Sequence, residues 1–422
     1  MMSATRESVT ETLSFLQRKK SEIGPANPAP HAVLPFDPWV LGSAIALILI
    51  GFVMISSASL DVAMKNNDTP YFYVIRQAVF IAMAAVAAVV VWNIPLRFWQ
   101  KTGHWWMLAA GLLLILVLLP GIGKGVNGST RWLSLGPLNL QASEVAKFCM
   151  VMYMGGYLVR RLDEVRNSWK GIAKPTLPLG LFCVLLYLEP DFGALVVLMG
   201  TVMGMIFLGG MRFSQFIVVI ACVGALLVTV VGLQPYRVAR LQSFLDPWSD
   251  PYGAGYQLSQ AQIAFGRGEW FGTGLGNSVQ KLFYLPEAHT DFVFSVLAEE
   301  LGFVGAAVLI VLFAVLIVNI FRIGRRAEKV NAFFKAYVCY GFGIIFAAQA
   351  LINIGVNVGA LPTKGLTLPL VSYGGSSLLV CCAMLAVILR VDYELKAGLD
   401  MPAQKTEKTE SKVSDRRQRD GH

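Results

Sequence analysis

The sequence predicts an all-α integral membrane protein, a polytopic bundle of about ten transmembrane helices with one long outward loop. Three observations lead there. The 422 residues are 55 % hydrophobic and 14 % charged, against about 25 % charged in a soluble domain. Mean hydropathy is +0.60. Apolar stretches near the ~18 residues that suggest a spanning helix recur from one end of the chain to the other.

The first stretch runs from Pro38 to Ala58. A polar tail with Arg18, Lys19 and Lys20 precedes it. Its length, that tail and the lack of a small-residue cleavage pattern favour a retained helix over a signal peptide. Further spans are expected over 74–92, 105–122, 141–159, 176–191, 192–210, 214–233, 292–321, 336–357 and 370–391. The polar segments 1–37 and 393–422 lack apolar periodicity and read as disordered cytoplasmic tails. The membrane domain is therefore 38–392.

Basic residues set the orientation. Arg97 and Lys101, then Arg160, Arg161, Arg166, Lys170 and Lys174, then Arg322, Arg325, Arg326, Lys329 and Lys335 fall in alternate loops, which places those loops and both tails in the cytoplasm. The loops near 60–73, 123–140, 234–291 and 358–369 are poorer in Lys and Arg and face outward. The net charge of +9 then reflects flanks that meet anionic lipid, and no basic aromatic patch for nucleic acid is found. All six cysteines lie in apolar spans as small buried hydrophobes, with no disulfide framework. The four histidines are far apart and suggest no zinc site.

Chemistry is expected in the outward segment of about 234–291, since a long loop without structure of its own is usually functional. Its "GTGLGNS" run lacks the strand and helix that a nucleotide-binding glycine loop requires. Ionisable residues within apolar spans are costly and are functional candidates by default: Arg76, Glu144, Lys147, Glu189, Asp191, Glu299 and Glu300. Glu144 and Lys147 are three apart on one helix, close enough to pair. An internal network that fixes packing, an ion path and a polar headgroup cavity all remain open readings.

The outward loops add Lys124, Arg131 and Trp132 from "GKGVNGSTRW", Arg237 and Arg240 from "YRVAR", and Glu287, His289 and Asp291 from "YLPEAHTDF". Arginine suits a lipid-linked pyrophosphate through bidentate geometry. A pyrophosphate leaves readily once cations neutralise it, so sugar transfer from such a donor needs one carboxylate base, unlike a glycosidase with its two. Asp291 fits that role by position, at a loop-to-helix junction where the dipole favours a carboxylate and Thr290 is a hydrogen-bonding neighbour. The alternative is that Asp291 merely caps the helix.

The motifs "QASEVAKF" (141–148), "EPDFG" (189–193), "GLGNSVQKLFYLPEAHTDFVFSVLAEELGFVG" (274–305) and "LPTKGLTLPLVSYGGSS" (361–377) resemble those of the SEDS family, the polytopic peptidoglycan polymerases of bacterial elongation, division and sporulation. The resemblance spans 38–392. Ala288, where elongation-type members tend to have Arg, makes it closer to the division branch. Ala142 replaces the usual Pro of the first motif. The resemblance implies a ten-helix SEDS fold with a long periplasmic loop, in the bacterial inner membrane at the division septum. It implies polymerisation of lipid II with Asp291 essential, undecaprenyl pyrophosphate leaving, and importance for Lys124, Arg131, Glu144, Lys147 and Arg240; with Trp132 from the second outward loop, and Glu287 and His289 as supports that shape the long one, these are the candidate substrate-binding residues.

No cofactor is required on this reading; a divalent cation bridging Asp291 and pyrophosphate is compatible with it, although one carboxylate is a thin metal site. Expected partners are membrane lipid, lipid II, a class B penicillin-binding protein (FtsI) and the division proteins FtsQ, FtsL, FtsB and FtsN. A lipid II flippase, an elongation-type polymerase and a non-enzymatic scaffold are the rivals.

Overall fold

The computed structural model describes residues 35–126, 129–136, 138–232, 244–253, 255–362 and 365–398. The tails read above as disordered lie largely outside them. Three helices come first: α1 (Pro38–Asn67), α2 (Phe72–Asn93) and α3 (Leu96–Leu118). Three strands follow, β1 (Gly123–Val126), β2 (Ser129–Leu135) and β3 (Leu138–Gln141). Then come α4 (Ala142–Asn167), α5 (Trp169–Leu188), α6 (Phe192–Leu208), α7 (Phe213–Gly232), α8 (Tyr256–Gly268), α9 (Val293–Lys329), α10 (Phe333–Asn357) and α11 (Gly375–Lys396).

Every apolar stretch of the sequence is helical. Among the described residues, six helices are long and apolar enough to cross a membrane, namely α1, α2, α3, α5, α9 and α10, so length and composition support six spans where ten were expected. The apolar lengths of α6 and α7 are shorter, and α4 and α11 are mostly buried among their neighbours. α3 begins nine residues before the apolar stretch because Arg97 and Lys101 occupy its first turns, where hydropathy is low but the backbone is already helical. Asp37 caps α1, its carboxylate accepting from the Trp39 and Val40 amides at 3.0 and 3.4 Å, with Pro38 at the first helical position.

The all-helical expectation fails at 123–141. This segment, read as a loop, is an antiparallel three-stranded meander in the order β1-β2-β3. Lys124 faces Trp132 and Leu133 faces Leu140 across the ladders. Gly136 makes the β2–β3 turn at φ 69, a conformation glycine adopts without strain.

α10 occupies the centre of the bundle, packed against α4, α6 and α9. Its Phe342 and Phe346 are wholly buried, and Phe148 stacks on Phe342 at 5.4 Å. The outer surface is apolar, with Leu177, Leu351 and Val86 among its most exposed side chains, as a protein solvated by lipid requires. Ion pairs tie the helices at one end: Arg326 to Asp37 and Asp392 at 2.9 and 3.0 Å, and Lys335 to Glu394 at 2.7 Å.

The sheet lies at the other end, where α9 is broken. Gly302 adopts φ 68, ψ −168 inside the helix, and residues 269–274 run beside the break. The Thr273 and Gly274 amides donate to the Glu299 and Glu300 carbonyls at 3.0 Å, and the Phe303 and Val304 amides donate to the Glu269 and Trp270 carbonyls at 2.9 and 3.1 Å. Backbone groups freed by the break are thus satisfied by the loop, the condition for irregular chain at membrane depth. The "GTGLGNS" run is explained here: Gly272, Gly274 and Gly276 all have positive φ, and a Cβ on Gly272 would lie 2.1 Å from the Glu300 carbonyl.

Glu299 and Glu300 finish the attachment. Glu299 accepts from the Val279 and Gln280 amides at 3.0 and 3.3 Å, and pairs with Arg267 at 3.1 Å. Glu300 accepts from the Ser57 hydroxyl at 2.6 Å and from Lys281 Nζ at 2.8 Å, while Lys281 also donates to the Gly276 carbonyl at 2.7 Å. For this pair the packing-network reading of buried charge is the one observed.

A Cβ at position 302 would sit 2.4 Å from the Gly272 amide nitrogen. Gly302→Ala is therefore expected to cost more than the ~1–3 kcal/mol of a strained backbone alone and to lower the Tm measured in detergent. Gly266→Ala in α8, where a Cβ meets nothing within 4 Å, is the control and should leave the Tm unchanged or raised. Equal Tm values for the two variants would refute the account of the break.

Candidate active site

The break in α9 leaves a short helix, 293–301, whose N-terminus carries "HTDF". Asp291 is half-buried there, one residue before the cap position. The cap position is Phe292, with no side-chain cap bond. The acceptor for the first turn comes from α10: Asn357 Oδ1 takes the Ser295 amide at 3.1 Å and the Ser295 hydroxyl at 2.7 Å. Asn357, from a neighbouring helix, thus supplies an acceptor to the first turn.

Asn357 and Asn353 also hold the backbone of Asp291. Their Nδ2 groups donate to the Asp291 carbonyl at 3.0 and 2.9 Å, and Asn353 Nδ2 donates to the Leu366 carbonyl at 2.7 Å. Two amides one turn apart in α10 so join the "HTDF" turn to the loop carrying Gly365. Both are buried. The sequence reading passed over them, although Asn at i and i+4 in an otherwise apolar span, "NIGVN", was a signal in plain sight.

Gly365 brings the cation to the carboxylate. A Cβ there would lie 3.3 Å from Asp291 Oδ2 and 3.8 Å from Arg131 Nη1, so the same missing methyl would touch both groups. Arg131 reaches this point from β2 because the 189–191 turn holds it. Its Nε donates to the Glu189 carbonyl at 3.4 Å, its Nη2 donates to the Pro190 carbonyl, and its Nη1 is 4.0 Å from Asp191 Oδ1. Asp191 in turn caps α6 at the Ala194 amide, 3.2 Å, and accepts from Ser143 and Gln141 at 2.8 and 3.1 Å. The motifs "QASE", "EPDFG", "HTDF" and "LPTKG" therefore meet at one place.

The other predicted residues are distributed around it. Thr290 donates to Glu287, at 2.8 Å, where the sequence reading had it beside Asp291; Glu287, at φ 57, also accepts the Thr290 and Phe292 amides on its carbonyl. Glu287 shapes the turn. His289 packs between Tyr73 and Tyr373, with centroids 5.0 and 5.7 Å away, and its carbonyl accepts the Tyr373 amide at 3.0 Å. Burial lowers the His289 pKa, against a smaller raising effect of Glu287, so the ring is a neutral packing element near pH 7.

Lys124 is exposed and is the cross-strand partner of Trp132, while Arg131 is the extra residue of a bulge between the Lys124–Trp132 and Gly125–Thr130 pairs. Glu144 and Lys147 pair at 2.8 Å and are sealed in the bundle, 3 % and 0 % exposed. Arg240 and Arg237 lie outside the described residues. Among the described residues no group of three or more His, Cys, Asp or Glu could hold a metal ion.

Glu189 completes the site. It is wholly buried in the turn between α5 and α6, and neither carboxylate oxygen has a hydrogen-bond partner among the described residues. Burial first, then the charge of Asp191, push its pKa up to about 8, with Arg131 opposing.

Fold and site together define a polytopic membrane protein that, among the described residues, brings the Asp291 carboxylate and the Arg131 guanidinium to Gly365 at the start of a broken helix. Its relatives agree with that description. A family model described as "Cell cycle protein", covering FtsW, RodA and SpoVE, matches residues 39–397. A probable peptidoglycan glycosyltransferase FtsW from Hahella chejuensis is 52 % identical over 385 residues, 91 % of this chain and 95 % of that protein. The one from Nitrosococcus halophilus is 52 % identical, covering 89 % and 96 %.

Among solved structures, a chain of a peptidoglycan synthase complex that coordinates polymerisation and crosslinking superposes with a TM-score of 0.72 at 30 % identity, over 86 % of this chain and 99 % of that one. The rod shape determining protein RodA of Thermus thermophilus superposes with a TM-score of 0.63 at 26 % identity, covering 86 % and 98 %. The chain belongs to the FtsW/RodA/SpoVE family of cell cycle proteins.

Two outcomes follow from the geometry. Asn357→Leu leaves the Asp291 carbonyl with Asn353 alone and the Ser295 amide with the Phe292 carbonyl alone, and strips the Ser295 hydroxyl of its acceptor, at a cost of roughly 1–3 kcal/mol. Amide exchange over 291–296 should accelerate at least tenfold while the middle of α10 stays protected; unchanged exchange at 291–296 would exclude the tertiary cap. For Glu189, a carboxyl with a raised folded pKa stabilises the fold fully below its unfolded value, and that contribution is lost as pH rises through about 8. The Tm should fall as pH rises from about 4.5 to about 8 and level off above that, and Glu189→Gln should flatten that fall.

Proposed function

We propose that this protein is a peptidoglycan glycosyltransferase that polymerises lipid II during septal wall synthesis, with Asp291 as general base. The observation that carries the reading is that the Asp291 carboxylate and the Arg131 guanidinium both lie against Gly365, at the start of a helix whose first turn is bonded by Asn357. The 4-hydroxyl of N-acetylglucosamine in one lipid II attacks the anomeric carbon of N-acetylmuramic acid at the lipid-linked end of the growing glycan. Its proton passes to the Asp291 carboxylate. The new C–O bond forms as the bond to the pyrophosphate oxygen breaks, and undecaprenyl pyrophosphate leaves with the electron pair.

Attack opposite an α-linked pyrophosphate inverts the centre and gives the β-1,4 linkage. Arg131 is placed to meet the departing negative charge, and Lys124 and Arg240 are further candidates for it. Trp132, Glu287 and His289 line or shape the approach, and Glu144 with Lys147 supports it from within the bundle. The orientation set by basic loops puts this end of the bundle in the periplasm of a multi-pass inner-membrane protein, with both termini cytoplasmic.

The solved relative that coordinates polymerisation with crosslinking supports a class B penicillin-binding protein as partner, with FtsI, FtsQ, FtsL, FtsB and FtsN as the division assembly. The flippase reading is weaker, because its charged residues are already engaged: Glu144 by Lys147 and Asp191 by Ser143 and Gln141.

The deciding experiment is polymerisation of purified lipid II by the full chain with its partner. Asp291→Asn should abolish the product, a loss of at least ~100-fold as for a general base, with expression and complex formation intact. An active Asp291→Asn protein would overturn the assignment.

A further inference from the structure

At the end of α3 remote from the sheet, a groove of about 680 Å³ is lined by Arg97, Gln100, Lys101, His104 and Arg160. Three of the five are permanent cations and none is acidic. Arg97, Lys101 and His104 succeed one another at spacings of four and three, so they share one face of α3. Arg160 comes from α4, and glycines bring it close. A Cβ on Gly103 would lie 3.2 Å from the Met152 carbonyl, and one on Gly156 would lie 3.5 Å from the Gln100 carbonyl and 3.0 Å from Arg160 Nη1. The Arg160 guanidinium therefore folds back over Gly156 towards α3.

Among the described residues no ion pair joins a carboxylate to Arg97, Lys101 or Arg160; the Glu394 carboxylate, which accepts the Leu96 amide at 3.4 Å, is paired with Lys335 and Arg390. The nearest acids in sequence are Asp163 and Glu164; Glu164 is taken by Arg161 and Lys174, and among the described residues no ion pair joins Asp163 to Arg160. Elsewhere on the molecule Arg326, Lys335, Arg390 and Lys281 each have a carboxylate partner. The groove is also continuous with the lipid-facing surface. α3 is one of the spanning helices, and Phe98, Trp105 and Leu108 beside the basic face are 44 %, 64 % and 56 % exposed. His104 lies about 12 Å along the helix from Leu96 at the usual rise, the depth of headgroups and the first acyl carbons.

We propose that this groove is a binding site for a lipid headgroup carrying two phosphate charges, seated between α3 and α4 with its tails along the Phe98–Leu108 surface. Basic pockets between membrane helices bind such headgroups, and arginine suits phosphate by its bidentate fork. Two lipids share this chemistry, a bis-phosphatidyl phospholipid and a prenyl pyrophosphate. The site is distinct from Asp291 and Arg131 and stands whether or not the polymerase reading holds.

The test is native mass spectrometry of the full chain released from detergent with cardiolipin, undecaprenyl pyrophosphate, phosphatidylcholine or inorganic pyrophosphate. The triple variant Arg97→Gln, Lys101→Gln, Arg160→Gln should bind the two-phosphate lipids roughly 100-fold more weakly at low salt, at about fivefold per cation. A control triple of equal charge loss, Arg212→Gln, Arg325→Gln, Lys329→Gln, should stay within about twofold of the parent. Arg97→Lys with Arg160→Lys should retain most of the affinity. A selective loss for cardiolipin identifies a phospholipid site, and one for undecaprenyl pyrophosphate a prenyl pyrophosphate site. Equal losses in the two triples, or inorganic pyrophosphate bound in the groove as tightly as the lipids, would overturn the proposal.

Discussion

The break at Gly302 is the constraint from which the site end of the molecule is built. A helix that continued unbroken from 293 to 329 would carry its N-terminus wherever the bundle axis sent it. With Gly302 at φ 68, the first two turns become a separate element whose direction is set by other contacts. Residues 269–274 supply the backbone partners that the break would otherwise orphan, because the bilayer supplies none. That is why the loop before α9 is rich in glycine, and why Glu299, Glu300 and Lys281 are buried together. They anchor the loop, and the loop makes the break tolerable.

Once the short helix is independent, its N-terminus can be capped from outside. Asn357 does this, and the same amide holds the Asp291 carbonyl. Moving the cap to α10 leaves the dipole of the short helix near Asp291 while its carboxylate faces Gly365 and Arg131.

Much of the fold was legible in the sequence. Every helix of the bundle announced itself through an apolar run, and the SEDS-like motifs marked the four segments that meet at the site. What hydropathy could not show were elements that lack an apolar run of their own. The sheet at 123–141 is short, glycine-bearing and polar; the first turns of α3 carry Arg97 and Lys101; α8 is amphipathic. The site was legible in Asp291 and Arg131, whose partners are non-local. Asn353 and Asn357 were missed because they act on a backbone carbonyl 62 and 66 residues away, a relation no local pattern encodes. The buried charges, all suspect by the same rule, resolve into different uses only when their partners are seen.

Those partners explain how a guanidinium is held near Gly365, beside which the Asp291 carboxylate also lies. Arg131 spends Nε and Nη2 on the carbonyls of residues 189 and 190, so the backbone of the turn fixes the guanidinium. Asp191 remains 4.0 Å from Nη1, committed instead to α6, Ser143 and Gln141. A guanidinium fixed by backbone carbonyls is already oriented when an anion arrives. Preorganised charge of this kind stabilises a developing anion without reorganisation cost. The uncharged state that burial favours for Glu189 serves the same end, because a second full carboxylate beside Asp191 would draw Arg131 inward and away from Gly365.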